Sequence, residues 1–350
     1  MTSLKAGGRL GIIIAVLIFG LIVIFHELGH FLLAKKNGIR VNEFAIGMGP
    51  KLCGFKKGET EYVIRLLPFG GACMMAGEDE DNDEEGSFNT KSVWARMSVV
   101  LAGPVFNFIL AFVFALFLLW HTGITTGQIY MVEENSPAAE AGLLTGDVIT
   151  AIDGKKVHMF SEIRMHMMLK PSDSYEVTYQ RDGQKNTVTV HTFTDEDGTQ
   201  RIGIGAQAVK PNIGQLFQYS AYEVSYNIKL VVKSLGMLVT GQLGKDDVAG
   251  PVGMVTVIDD TYDEAKDYGV MSVVLTMVNL VIVLSANLGV MNLLPIPALD
   301  GGRMLFLIIE AVRGKPIDRN REGFVNFIGF ALLMVLMVFI LFNDISKLFA

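Results

Sequence analysis

Four stretches of this chain stay apolar long enough to cross a lipid bilayer, and polar sequence separates them. Residues 11–34 read GIIIAVLIFGLIVIFHELGHFLLA, with no Lys, Arg or Asp and a single Glu. A spanning helix needs about 20 such residues. Residues 94–120 form a second stretch and residues 324–342 the last. A third, from Met271 to about Ile309, exceeds one simple span and is interrupted by Pro295, Pro297 and Gly301-Gly302. Residues 216–239 are weaker, since they carry Glu223, Lys229 and Lys233 and begin rich in Tyr, Ser and Asn. That pattern predicts an amphipathic helix lying at the membrane interface. Between residues 40 and 75 the pattern shortens to strands, 41–46 and 61–67, with Gly-rich turns between them. A β-hairpin dipping toward the first helix suits this run; a plain cytoplasmic linker is the competing reading. Residues 78–85 are nearly all acidic and predict a solvated loop. Residues 124–209 contain no span and predict a globular insert.

Charge sets the orientation. Lys35, Lys36, Arg40, Lys51, Lys56, Lys57 and Arg65 follow the first span, and Arg303, Arg313, Lys315, Arg319 and Arg321 link the last two. Four spans place both basic stretches on one side, as the positive-inside rule requires; a fifth would separate them. The expected protein is therefore multi-pass, with both termini and the insert outside and both basic loops in the cytoplasm. The N-terminal stretch lacks an A-x-A-like cleavage site and is too long for a signal peptide, so it predicts a retained helix. A chain that is 51% hydrophobic, with mean hydropathy +0.41, fits a bilayer setting. Its formal charge of −7 gives no reason to invoke nucleic acid. Cys53 and Cys73 form no C-x-x-C and suggest neither a disulfide framework nor a thiolate metal site. No feature fixes an oligomeric state.

The chemistry lies inside the first span. His26-Glu27-Leu28-Gly29-His30 puts two imidazoles four residues apart, on one face of a helix. Both can ligate one Zn2+, and Glu27 can take a proton from water at the metal. A charged group at a helix centre costs about 2.5–3.5 kcal/mol on insertion scales, so the cluster needs a compensating partner. Catalytic zinc sites usually have three protein ligands and keep a position for water. Asp300 is the best third ligand, an acid in apolar surroundings directly after a helix broken by two prolines. The first and third spans run in the same direction, and both groups fall late in their segments, near the cytoplasmic face. The competing reading has Asp300 merely capping the next helix. Asn287 and Asn292 flank the site as amides that either bond between helices or hold substrate and polarise its carbonyl. Asn107 divides the same way and leans to packing. His121, His158, His166 and His191 receive no metal.

The pairing of H-E-x-x-H in the first span with Asn292-Leu-Leu-Pro-Ile-Pro-Ala-Leu-Asp300-Gly301 in the third resembles the site-2 protease family of intramembrane zinc metalloproteases. More narrowly it resembles the bacterial branch with a PDZ domain between the second and third spans. Gly47-Met-Gly-Pro50, Pro68-Phe-Gly-Gly71 and Ala102-Gly-Pro-Val-Phe-Asn107 are further family-like stretches. The run from Ser136 to Gly154 resembles a PDZ domain, with Gly142 and Gly146 at turns, Val148-Ile149 opening a strand, and residues 161–169 as the groove helix. The resemblance implies His26, His30 and Asp300 as zinc ligands, Glu27 as base, and a hairpin edge that holds substrate extended.

The fold class expected is a polytopic α-helical membrane protein with four transmembrane helices, a membrane-associated β-hairpin and one extracytoplasmic PDZ domain. The expected divisions are 1–37, first helix; 38–93, re-entrant hairpin and acidic loop; 94–122, second helix; 123–210, PDZ domain. They continue with 211–270, interfacial helix and loop; 271–312, broken third helix; 313–350, loop and fourth helix. The function expected is hydrolysis, in a bacterial cell membrane, of peptide bonds within membrane-spanning regulators or signal-peptide remnants. A PDZ scaffold with a structural metal is the alternative, but it needs a fourth protein ligand that is not evident. A metal transporter needs polar groups spaced along a path rather than one cluster.

Overall fold

The computed structural model describes residues 7–78, 84–195, 198–242, 244 and 249–349. Most of the predicted acidic loop, residues 79–83, lies outside them. The chain divides into two compact units, Met1–Phe114 with Ser234–Ala350, and Ala115–Lys233.

In the first unit, α1 (Gly7–Lys36) is followed by β1 (Val41–Lys57), β2 (Thr60–Met75) and the start of α2 (Val93–Thr122). Among the described residues, four helical stretches are long and apolar enough to cross a membrane: Gly11–Lys36, Val93–Thr122, Val270–Asn292 and Asn320–Lys347. β1 and β2 make more than the simple hairpin expected. Residues 43–46 of β1 stand between two stretches of β2, with 71–74 on one side and 61–64 on the other. The far half of β1, 53–57, then pairs back onto 60–64. Two strands thus supply four rows, and the row 71–74 lies at an edge. Gly47, Gly49 and Gly70 have φ near +80°, and they release the chain where the rows turn.

The second unit completes α2 and then forms β3 (Met131–Val132), α3 (Pro137–Glu140), β4 (Val148–Ile152), β5 (Lys155–Lys156) and α4 (Phe160–Leu169). β6 (Ser174–Arg181), β7 (Gln184–His191), β8 (Phe193–Thr194), β9 (Gln200–Arg201), β10 (Ile204–Gly205) and most of α5 (Ile213–Val239) follow. The main sheet runs β5-β4-β6-β7. Ile149, Ile152, Ile163, Tyr175, Val177 and Val190 close its core against α4. Asp147, almost fully buried, accepts from the Leu144 amide at 2.8 Å and from Arg181 through both carboxylate oxygens at 2.7 Å. These bonds brace the turn between Gly142 (φ +80°) and Gly146 (φ +98°). α5 joins this unit through Lys229–Glu162 at 3.0 Å and the rings of His158 and Tyr222. The unit therefore extends past the insert boundaries read from sequence.

Within the first unit the chain resumes in α6 (Pro251–Lys266), α7 (Val270–Asn292), α8 (Asp300–Arg313) and α9 (Arg319–Phe349). α6 occupies a stretch expected to be loop. Its first turn is held from afar, because buried Asp344 of α9 accepts from the amides of Gly250 and Gly253 at 3.1 and 2.9 Å. The expected break in the third apolar stretch is confined to residues 293–299, and Gly301-Gly302 belong to the first turn of α8. Ile18 and Ile22, Leu110, and Val281 and Leu284 pack α1, α2 and α7 into one core. α9 by contrast leaves Phe324, Phe327, Leu332, Val335, Phe339 and Phe342 exposed, a surface suited to lipid.

Candidate metal centre

α1 brings His26 and His30 to the same face, and α8 brings Asp300 to meet them. Asp300 Oδ2 lies 3.2 Å from His26 Nε2 and 3.4 Å from His30 Nε2, and the two Nε2 atoms are 3.2 Å apart. Among the described residues this is the cluster whose ligand atoms can hold a metal ion. Both histidines are buried.

Close backbone approach makes the convergence sterically feasible. A Cβ on Gly29 of α1 would lie 2.4 Å from the Ala102 carbonyl oxygen of α2. A Cβ on Gly103 of α2 would lie 2.3 Å from His30 Nε2 and 2.7 Å from His26 Cε1. The two helices thus meet through glycines, as small residues allow in membranes. Asp300 is placed by a compact break. Ala298 takes φ +72°, its amide donates to Asn326 Oδ1 at 3.4 Å, and Gly301 packs directly on the Leu293 and Leu294 carbonyls. α8 is then moored by two ion pairs, Arg303 with Glu78 and a two-pronged Arg96–Glu310 contact. Leu299 is the N-cap of α8 and Asp300 its first helical residue, with its Oδ2 turned to the two histidines.

The donor set fits a metal. Two imidazole nitrogens and a carboxylate oxygen are zinc-type ligands that leave room for a fourth, non-protein ligand. Asp300 Oδ2 is buried and, among the described residues, has no hydrogen-bond partner, so it is an acceptor that a cation would satisfy. His30 Nδ1 meets the Val99 carbonyl at 2.9 Å, so it carries the proton and leaves Nε2 free to ligate.

Glu27 is half-buried next to this cluster. Its Cγ lies where a Cβ on Gly71 would come within 2.9 Å, so the edge row of the sheet runs directly past the carboxylate side chain. Asn287 and Asn292 are half-buried on α7, and among the described residues neither side chain has a hydrogen-bond partner. Asn107 makes the kind of contact between helices that the sequence favoured, and the contact falls on a histidine of the cluster. Asn107 is fully buried, and its amide lies 3.2 Å from His26 Nδ1. The Val99 carbonyl carried no sequence signal, since any helical residue could supply it.

A Clostridium acetobutylicum protein is 41% identical over 336 residues, covering 95% of this chain and 97% of that protein. The regulator of sigma-W protease RasP of Bacillus subtilis is 35% identical over an alignment of 424 positions, covering 97% of this chain and 99% of RasP. Among solved structures, the PDZ domain of an SdrC-like protein from Listeria innocua matches 24% of this chain and 96% of its own, with 27% identity and a TM-score of 0.22. The sequence model of peptidase family M50 matches residues 14–336. The chain belongs to peptidase family M50.

Proposed function

We propose that this protein is an intramembrane zinc endopeptidase of the site-2 protease type, cleaving peptide bonds within membrane-spanning segments. The observation that carries this reading is the meeting of His26 and His30, on an apolar helix, with Asp300 Oδ2, which has no hydrogen-bond partner among the described residues. These three residues would hold Zn2+, with no fourth protein ligand among the described residues, which speaks against the scaffold with a structural metal. Bound there, Zn2+ supplies Lewis acidity to the scissile carbonyl and lowers the pKa of water toward about 7. Glu27 takes the proton of the attacking water and returns it to the leaving amine. The half-buried amides of Asn287 and Asn292 are available to hold the substrate backbone or to donate to the developing oxyanion.

A transmembrane substrate is helical and its peptide bonds are inaccessible, so it must unwind before cleavage. The edge row 71–74 beside Glu27 supports strand addition as the means of holding it extended. Water reaches the site from the cytoplasmic side, where the basic loops lie. With four spans, both basic loops face the cytoplasm; the termini and the PDZ-like insert lie outside a bacterial cell membrane, and the metal lies near the inner face. The name of the Bacillus subtilis relative refers to a sigma-factor regulator. Membrane-tethered regulators are therefore the favoured substrate class, with signal-peptide remnants a second.

Metal analysis of wild type and Asp300→Ala tests the site. One zinc per wild-type chain, with zinc and cleavage lost together in the variant, is expected because a ligating carboxylate is removed. Full occupancy and normal turnover in Asp300→Ala would place the third ligand elsewhere.

A further inference from the structure

We propose that Asn107 is the positioning residue for His26, accepting a hydrogen bond from His26 Nδ1–H and so presenting Nε2 to the metal. The inference rests on the metal-site reading above. His26 turns Nε2 toward Asp300 and His30, at 3.2 Å from each partner atom. A neutral imidazole that ligates through Nε2 carries its proton on Nδ1, which then needs an acceptor. For His30 that acceptor is the Val99 carbonyl. For His26, among the described residues, the group in reach is the Asn107 amide, 3.2 Å away.

The amide turns Nδ2 toward the ring, while Oδ1 is buried without a partner among the described residues. Donor would then face donor, and an acceptor would go unused. Rotating the amide half a turn exchanges two atoms of nearly equal shape and resolves the conflict at His26. Oδ1 then receives the imidazole proton. The position is anchored independently, since Ser285 Oγ of α7 donates to the Asn107 carbonyl at 2.8 Å. A hydrogen-bonded line therefore runs from α7 through α2 to the ligand on α1, inside a fully buried core.

The test compares zinc release to a competing chelator from wild type, Asn107→Leu and Asn107→Asp, each purified as the full chain. Leucine keeps the volume and removes the acceptor, so zinc affinity should fall by about 10- to 100-fold. Aspartate supplies the same acceptor as a carboxylate, so it should hold zinc at least as well as wild type. A packing role predicts the reverse order, with leucine tolerated and a buried carboxylate harmful, and that result would overturn the inference. Should Asn107→Leu fail to fold, Asn107→Asp decides alone: retained zinc supports the acceptor role and lost zinc refutes it. A wild-type chain that binds no zinc would sink the metal-site reading together with this one. A zinc-loaded wild type with an indifferent leucine variant would sink this one only.

Discussion

Replacing Gly103 with Ala adds a single methyl group where α2 lies against both histidines. That methyl would stand 2.3 Å from His30 Nε2, 2.6 Å from His30 Cε1 and 2.7 Å from His26 Cε1. Ordinary van der Waals contact begins at 3.4 Å, so α2 or the imidazole pair must retreat by about 1 Å. The rings cannot swing away freely, because His30 of α1 is tied to the Val99 carbonyl of α2, the helix that carries Gly103. Overpacking of this kind costs about 1–3 kcal/mol. If the strain falls on the ligand geometry, zinc affinity drops about 5- to 150-fold, and a displacement of this size can cost about 100-fold in turnover. Helix propensity works the other way, since Ala is better than Gly by about 0.5–1 kcal/mol. Gly323→Ala is the matching control, because a Cβ there meets nothing within 4 Å. The assay is zinc content per chain, together with cleavage of a transmembrane substrate in proteoliposomes. Gly103→Ala should lose both while Gly323→Ala keeps both. Full zinc and normal cleavage in Gly103→Ala would refute the claim that backbone approach at this glycine builds the site.

Two further outcomes concern the second unit. On the proposed topology the insert inspects what stands above a substrate's span, so deleting it should leave the chemistry intact and admit substrates with bulky outer domains. A folded deletion that still rejects a full-length substrate, yet cuts its trimmed form, would leave the insert a spacer. Asp153 supplies a pH dependence. Burial raises its pKa, but hydrogen bonds from His166 at 3.0 Å, the Glu176 amide at 3.1 Å and Lys170 at 3.2 Å outweigh this, and the pKa falls from 3.8 to about 2. A depressed carboxylate gives stability that is present above pH 3.8 and is lost as pH falls toward 2. Hydrogen exchange at β4 and β6 in the full protein should accelerate over that window. Asp153→Asn should flatten the change while tolerating the left-handed backbone at φ +47°. An unchanged profile in that variant would assign the effect to another group.

The three residues that meet, His26, His30 and Asp300, were legible because local spacing and setting mark them. The i,i+4 histidines share a helix face wherever the helix packs, and an acid after Pro-Ile-Pro in apolar sequence has few other uses. Helix–helix approach was not legible in the same way. Gly29 and Gly103 read as permissive residues until the Ala102 carbonyl and the His30 ring are seen against them. Asn107 in an apolar helix reads alike whether it bonds a neighbouring helix or a ligand histidine. The reach of β1 was masked because residues 47–57 carry Gly, Pro and Lys instead of an alternating pattern. Their strand character comes from pairing with 60–67. α6 was missed for a similar reason. Its first turn is satisfied by Asp344, more than ninety positions away along the chain, and no local signal announces such a cap.

The central claim is that this helix cluster hydrolyses a peptide bond inside the membrane with Glu27 as base. Its most direct test is reconstitution of wild type and Glu27→Gln with a transmembrane substrate, measuring zinc per chain and the masses of the fragments. Wild type should carry one zinc and yield fragments that end within the substrate's apolar segment. Glu27→Gln should carry the same zinc and yield none, because an amide cannot accept the proton while the three ligands are untouched. Unimpaired cleavage by Glu27→Gln, or wild-type fragments ending outside the apolar segment, would contradict the account.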